Sequence, residues 1–152
     1  MDEPLPDDGE APVIVSLADA AMHMYTAAIE SLPHSDDSEF QHRAGVVLAG
    51  LRKLKTGLTE AGRRGRSTPS VVVALSGVRT CYDDLMERVA AAPGSSLGQQ
   101  LYVARLRAKL SAEETANGAG LDARLLDAVE AGETPTEEEA ARIKTLVAAL
   151  GG

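Results

Sequence analysis

Aromatic residues are scarce in this 152-residue chain, which has no tryptophan, one phenylalanine and three tyrosines. Stacking of bases on aromatic rings is therefore excluded as a main binding mode, and Ala, Leu and Val must build the core. A single cysteine, Cys81, rules out an intramolecular disulfide. With no charged segment leading into an apolar one at the start, the chain reads as cytoplasmic. No run reads as long enough to span a bilayer, so no membrane partner is expected. Positive charge is short as well. Lys and Arg number 15 against 23 Asp and Glu, a net of -8, which excludes indiscriminate adhesion to nucleic acid or anionic lipid. Any nucleic-acid site must be local.

What remains is 44% apolar and 25% charged, a globular composition. Arg outnumbers Lys, and Ala and Gly abound, as in proteins of high-GC bacterial genomes. Neither an internal repeat nor an alternating strand pattern is present, and the expectation is an all-α protein. Residues 1–15 hold three prolines and five acids and read as a disordered acidic tail.

Residues 16–92 read as a three-helix antiparallel unit. The first helix is expected to start at a Ser16/Asp19 capping box and stop before Pro33, with Leu17, Ala21, Met24, Ala28 and Leu32 inward. A second, capped by Asp36 and Glu39, carries Phe40, Ala44, Val47, Leu51, Leu54, Leu58 and Ala61 in a four-three register until AGRRGRS breaks it. A third starts with Thr68 and Pro69 and places Val71, Leu75, Val78, Tyr82, Leu85 and Val89 in the same register. AAPGSS marks a boundary. Beyond it, over residues 96–152, Ser96/Gln99, Ser111/Glu114, Asp122 and Thr136/Glu139 predict four short helices.

Ser111 caps the second of these with Glu114 returning the bond, Ala116 allows close contact, and Gly120 permits a left-handed turn. Leu126 and Val129 face inward, and Gly132 ends the third helix where a positive backbone angle is needed. From Leu97 to Ile143 this pattern resembles the Cro/CI-type helix-turn-helix family, also called the XRE family. The matching residues are Leu97, Gly98, Leu101, Arg105, Leu110, Ser111, Glu113, Glu114, Ala116, Ala119, Gly120, Leu121, Leu126, Val129, Glu130, Gly132, Pro135 and Ile143. The resemblance implies a dimeric transcriptional regulator that reads double-stranded DNA. In that family the third helix exposes polar or basic residues, whereas here it offers Asp122, Ala123, Arg124, Leu125, Asp127 and Ala128, with Glu133 in the following turn. Only Arg124 is a good base or phosphate partner. From Leu97 onward six cations meet nine acids, a net of -3.

The other candidate DNA contacts are Arg63, Arg64 and Arg66, with Arg52, Lys53 and Lys55 on the preceding helix. A glycine between arginines suits a minor-groove hook, and it equally suits a solvated helix-helix turn. The long heptad helices offer a homodimer surface, or else simply the core of their own unit. His23, His34 and His42 lack metal-ligand spacing, Cys81 reads as a half-buried spectator, and nothing resembles a nucleophile, a phosphate loop or a cofactor site. No enzymatic activity, metal or cofactor is expected. The leading expectation is a DNA-binding transcriptional regulator, dimeric through the N-terminal unit; the alternatives are a protein-interaction adaptor whose acidic helix-turn-helix docks a basic partner without touching DNA, and a sensor whose N-terminal bundle holds a small ligand.

Overall fold

A computed structural model describes residues 10–66 and 68–151. Seven α-helices follow one another among the described residues: α1 (Glu10–Glu30), α2 (Phe40–Ala61), α3 (Pro69–Ala91), α4 (Leu97–Arg107), α5 (Ala112–Ala119), α6 (Ala123–Glu130) and α7 (Glu137–Ala149). No strand occurs among them, and the protein is all-α. The chain forms two compact units, residues 1–85 and 86–152. The division falls inside α3 rather than at the Pro93-Gly94 turn. Within the second unit, the last turns of α3 engage α4 and α7: Glu87 pairs with Arg107 at 2.7 Å, and Ala90 and Ala91 line a cavity of about 140 Å³ with Val103 and Val147.

In the first unit, α1 begins six residues before Ser16, so residues 10–15 are helical rather than tail. Pro12 sits in the first turn, where a missing amide N–H costs no intrahelical bond. Residues 1–9 lie outside the described residues. The inward face of α1 is also displaced from the expected one. Ala18 is 2% exposed, whereas Leu17 and Met24 are each 67% exposed. The helix has two apolar stripes, and the one carrying Ala18 and Tyr25 meets α2. There Gly50 makes room for Tyr25, since a Cβ at that position would strike the phenol ring. By length and composition Pro12–Glu30 could cross a bilayer, with a mean hydropathy of 1.3, which corrects the reading that no run reaches that length.

Helix α2 starts at Phe40 with no side-chain cap from Glu39. Instead, the Glu39 amide donates to Asp37 Oδ1 at 2.8 Å. Its predicted seam is buried at Phe40, Ala44, Val47, Leu51, Leu58 and Ala61, with Leu48 added and Leu54 half-buried. AGRRGRS does not break the helix abruptly, because Gly62–Arg66 continues it as a π-helical turn. Thr68 caps α3 as expected, accepting from the Val71 amide at 3.3 Å. Val71, Val78, Tyr82, Leu85 and Val89 are buried on α3 with Met86, and Leu75 is half-buried. Both heptad seams are thus consumed as core.

In the second unit all four predicted helix starts are present. Capping boxes close at Ser96, Ser111 and Thr136, and Asp122 accepts from the Arg124 amide at 2.8 Å. Leu101, Ala104, Ala116, Leu126, Val129, Ile143 and Val147 form the core. Gly98 lets α4 press against the end of α6, because any Cβ there would run into the Val129 carbonyl.

Candidate functional site

The α5-turn-α6 segment owes its form to local chemistry. Ser111 Oγ accepts from the Glu114 amide at 3.0 Å, and Glu114 accepts from the Ser111 amide at 2.9 Å. These bonds hold the exposed Glu114 carboxyl below its ordinary range, the backbone bond contributing most. Gly120 adopts φ 70°, and the Leu121 amide returns to the Ala116 carbonyl at 2.9 Å, a Schellman closure that turns the chain into α6. Gly132, at φ 112°, ends α6 the same way, with the Glu133 amide donating to Ala128 O. A third closure ends α4 at Lys109, whose φ of 60° is left-handed without being glycine.

An ion pair locks α4 to α6. Arg105 donates from Nε to Glu130 Oε2 at 2.7 Å and from Nη2 to Oε1 at 2.8 Å, and its third nitrogen donates to Leu110 O at 3.2 Å. Both side chains are largely enclosed, at 16% and 7% exposure. The Glu130 hydrogen bond raises the Arg105 pKa further above its ordinary value, against the opposing effect of burial. The sequence reading matched both residues to the family pattern but missed their pairing, which joins positions 25 apart in the chain.

With its scaffold so built, the module presents an acidic exterior. Asp122, Arg124, Asp127 and Glu133 are exposed on and after α6, Glu113 and Glu114 on α5, and Glu137 and Glu138 at the start of α7. Three of the six cations beyond Leu97 are engaged in ion pairs. Besides Arg105, Arg107 pairs with Glu87 at 2.7 Å, while Arg142 lies 3.6 Å from Glu138 and donates to Gly120 O. Lys109, Arg124 and Lys144 alone among the described cations of this unit beyond Leu97 have no ion pair. A groove of about 440 Å³ runs between α5 and α7, lined by Gly118, Ala119, Ala141, Thr145, Leu146 and Ala149 together with Arg142.

The remaining candidate contacts belong to the first unit. Arg63 and Arg64 are exposed on the π-helical turn and share Glu60 as partner, at 3.1 and 3.9 Å. The side chain of Arg66 lies outside the described residues. Lys53 is exposed, whereas Lys55 is half-buried with its ammonium 4.8 Å from the Tyr82 ring centre. Arg52 donates to the Tyr82 hydroxyl at 2.9 Å. Helix packing therefore employs two of the six bases read as one cluster. Among the described residues no group of His, Cys, Asp and Glu is arranged to hold a metal. Cys81 is half-buried, and burial, followed by Asp84, raises its thiol pKa.

No solved structure matches the chain. Residues 25–96 match the MSMEG_6518_N family, an N-terminal domain, and this match ends at the cap of α4. An uncharacterized protein of Mycolicibacterium smegmatis is 63% identical over 129 residues, covering 85% of this chain and all of that protein. At that identity and coverage, the chain belongs to the same family as this mycobacterial protein, with the MSMEG_6518_N domain forming its first part.

Proposed function

We propose that the protein is an interaction adaptor whose C-terminal module, a Cro/CI-like helix-turn-helix in architecture, docks a basic segment of another protein instead of reading DNA. The surface of α6 carries this reading. A DNA-reading helix needs bases or hydrogen-bond donors toward phosphates and base edges, and this one sets a single Arg124 among exposed Asp122, Asp127 and Glu133. Each acid near a duplex adds repulsion where counterion release would be needed. The same acids suit a cationic segment of a partner protein. Cytoplasmic placement fits this function.

The reading is tested by titrating the full chain with a Lys/Arg-rich amphipathic peptide and, separately, with random-sequence duplex DNA at low salt. Binding of the peptide, weakened by Asp127→Lys with Glu133→Lys, is expected, with no duplex binding. Duplex binding that falls steeply with salt and is lost in Arg124→Ala contradicts it.

A second reading keeps DNA as the partner through the first unit. From Phe40 to Arg79 eight Lys and Arg accompany one acid, Glu60, and Lys53, Arg63 and Arg64 are exposed. Loss of duplex binding in Arg63→Ala with Arg64→Ala, and its retention in Arg124→Ala, identifies this mode.

A further inference from the structure

The cavity of about 140 Å³ where the last turns of α3 meet α4 and α7 owes its space to small side chains, since alanine stands at Ala90, Ala91 and Ala104. Its floor is apolar. Val103, Ala104 and Val147 are 3%, 4% and 7% exposed, and the half-buried Ala90 and Leu150 extend the wall. Its edge is polar. Gln100 and Arg107 follow each other after two turns of α4, on the helix face that carries Val103 and Ala104, and both are exposed. Each is held in place, because Gln100 Nε2 donates to Ser95 Oγ at 3.0 Å and Arg107 Nη2 donates to Glu87 Oε1 at 2.7 Å. A concave apolar floor with a few fixed polar groups at its edge is the pattern of a small-molecule site.

We infer that this cavity binds a neutral, single-ring organic molecule with one hydrogen-bond-accepting oxygen, its ring inward and its oxygen toward Arg107. The volume sets the size. An apolar cavity of about 150 Å³ takes up one benzene ring and stays free of water, so a single ring fits and a fused pair does not. The floor sets the polarity, because a polar group directed at Val103, Ala104 and Val147 would lose its hydrogen bonds to water without replacement. The edge sets the charge. A guanidinium has five N–H donors, and Arg107 gives one to Glu87, which leaves it able to donate to a ligand oxygen. A ligand anion would meet Glu87, and a ligand cation would meet Arg107. A neutral acceptor avoids both. This site is separate from the surface proposed to dock a basic segment, since no residue of α6 lines the cavity. It also lies in the C-terminal module rather than in the N-terminal bundle. Its occupant would tie the last turns of α3 to α4 and α7.

Heteronuclear NMR of the full chain titrated with benzamide tests the inference, with circular dichroism verifying the fold of each variant. Saturable shifts confined to the residues that line the cavity are expected, with a Kd on the order of 1 mM for so small a ligand. Ala90→Leu fills the space and is expected to weaken binding at least about tenfold. If that variant proves misfolded, Ala91→Leu at the exposed edge serves the same purpose. Arg107→Met is expected to weaken benzamide about three- to tenfold, and benzoate is expected to bind the wild type less tightly than benzamide does. The inference is overturned by shifts that do not saturate up to about 20 mM, by a filled variant that binds as well as the wild type, or by benzoate binding more tightly than benzamide.

Discussion

Arg105 and Glu130 meet through two parallel hydrogen bonds of 2.7 and 2.8 Å, tying α4 to α6 across the core of the second unit. Because the pair is enclosed, its value lies mainly in not being broken. Removing one partner leaves a buried charge, so Arg105→Ala or Glu130→Ala is expected to destabilise the module by about 3–5 kcal/mol in urea unfolding. Replacing both, as Arg105→Met with Glu130→Leu, is expected to recover most of that loss. Additive losses in the double variant would show that the two residues act independently.

Gly98 offers a second, purely steric test. A methyl group there meets the Val129 carbonyl, which is backbone and cannot swing aside. Gly98→Ala is therefore expected to cost about 1–3 kcal/mol despite the better helix propensity of alanine. Gly57, whose added Cβ meets nothing within 4 Å, should gain stability on the same change. Equal effects at both positions would refute the close approach.

Lys109 holds a left-handed conformation, φ 60°, at the end of α4. An L-residue pays about 1–2 kcal/mol there, partly offset in glycine by the entropy of a freer unfolded chain. Lys109→Gly is expected to stabilise the protein by about 0.5–1 kcal/mol, read as a raised urea midpoint. A lowered midpoint would place the carbon stem of Lys109 among the contacts that hold the turn.

Acid should loosen the α5 cap. The folded-state pKa of Glu114 is depressed, so its contribution is present above the unfolded carboxylate range and disappears as pH falls through the folded value. Glu114→Gln keeps an acceptor for the Ser111 amide and removes the titration. Below the ordinary carboxylate range this variant is expected to lose less stability per pH unit than the wild type. Parallel pH profiles would contradict the assignment.

Legibility from sequence followed the range of the interactions. The starts of α4, α5, α6 and α7 were readable because a capping side chain and its partner amide lie two or three residues apart, as in Ser111/Glu114. The buried seams of α2 and α3 were readable because a four-three repeat survives in each. Helix α1 departs from its sequence pattern for two physical reasons. Prolines and acids before Ser16 disguise a helix that tolerates Pro12 in its first turn. Its two apolar stripes share the same period, so only the fit of Tyr25 over Gly50 decides which one faces α2. Arg52 with Tyr82 and Arg105 with Glu130 join residues 30 and 25 apart, beyond the reach of local pattern. Of the candidate contacts, Arg124, Lys53, Arg63 and Arg64 lie on the surface as the residue types suggest, while Lys55 turns toward Tyr82.

A salt-dependent competition distinguishes a basic peptide from DNA as the ligand of the acidic module. Full-length protein is loaded with a fluorescent basic amphipathic peptide and challenged with unlabelled duplex DNA. The peptide is expected to bind the wild type but not Asp127→Lys with Glu133→Lys, and duplex is expected to take the peptide away from the protein without itself shifting in a gel with the protein. A protein-duplex complex that forms at low salt, dissolves with a steep salt slope and requires Arg124 would contradict it.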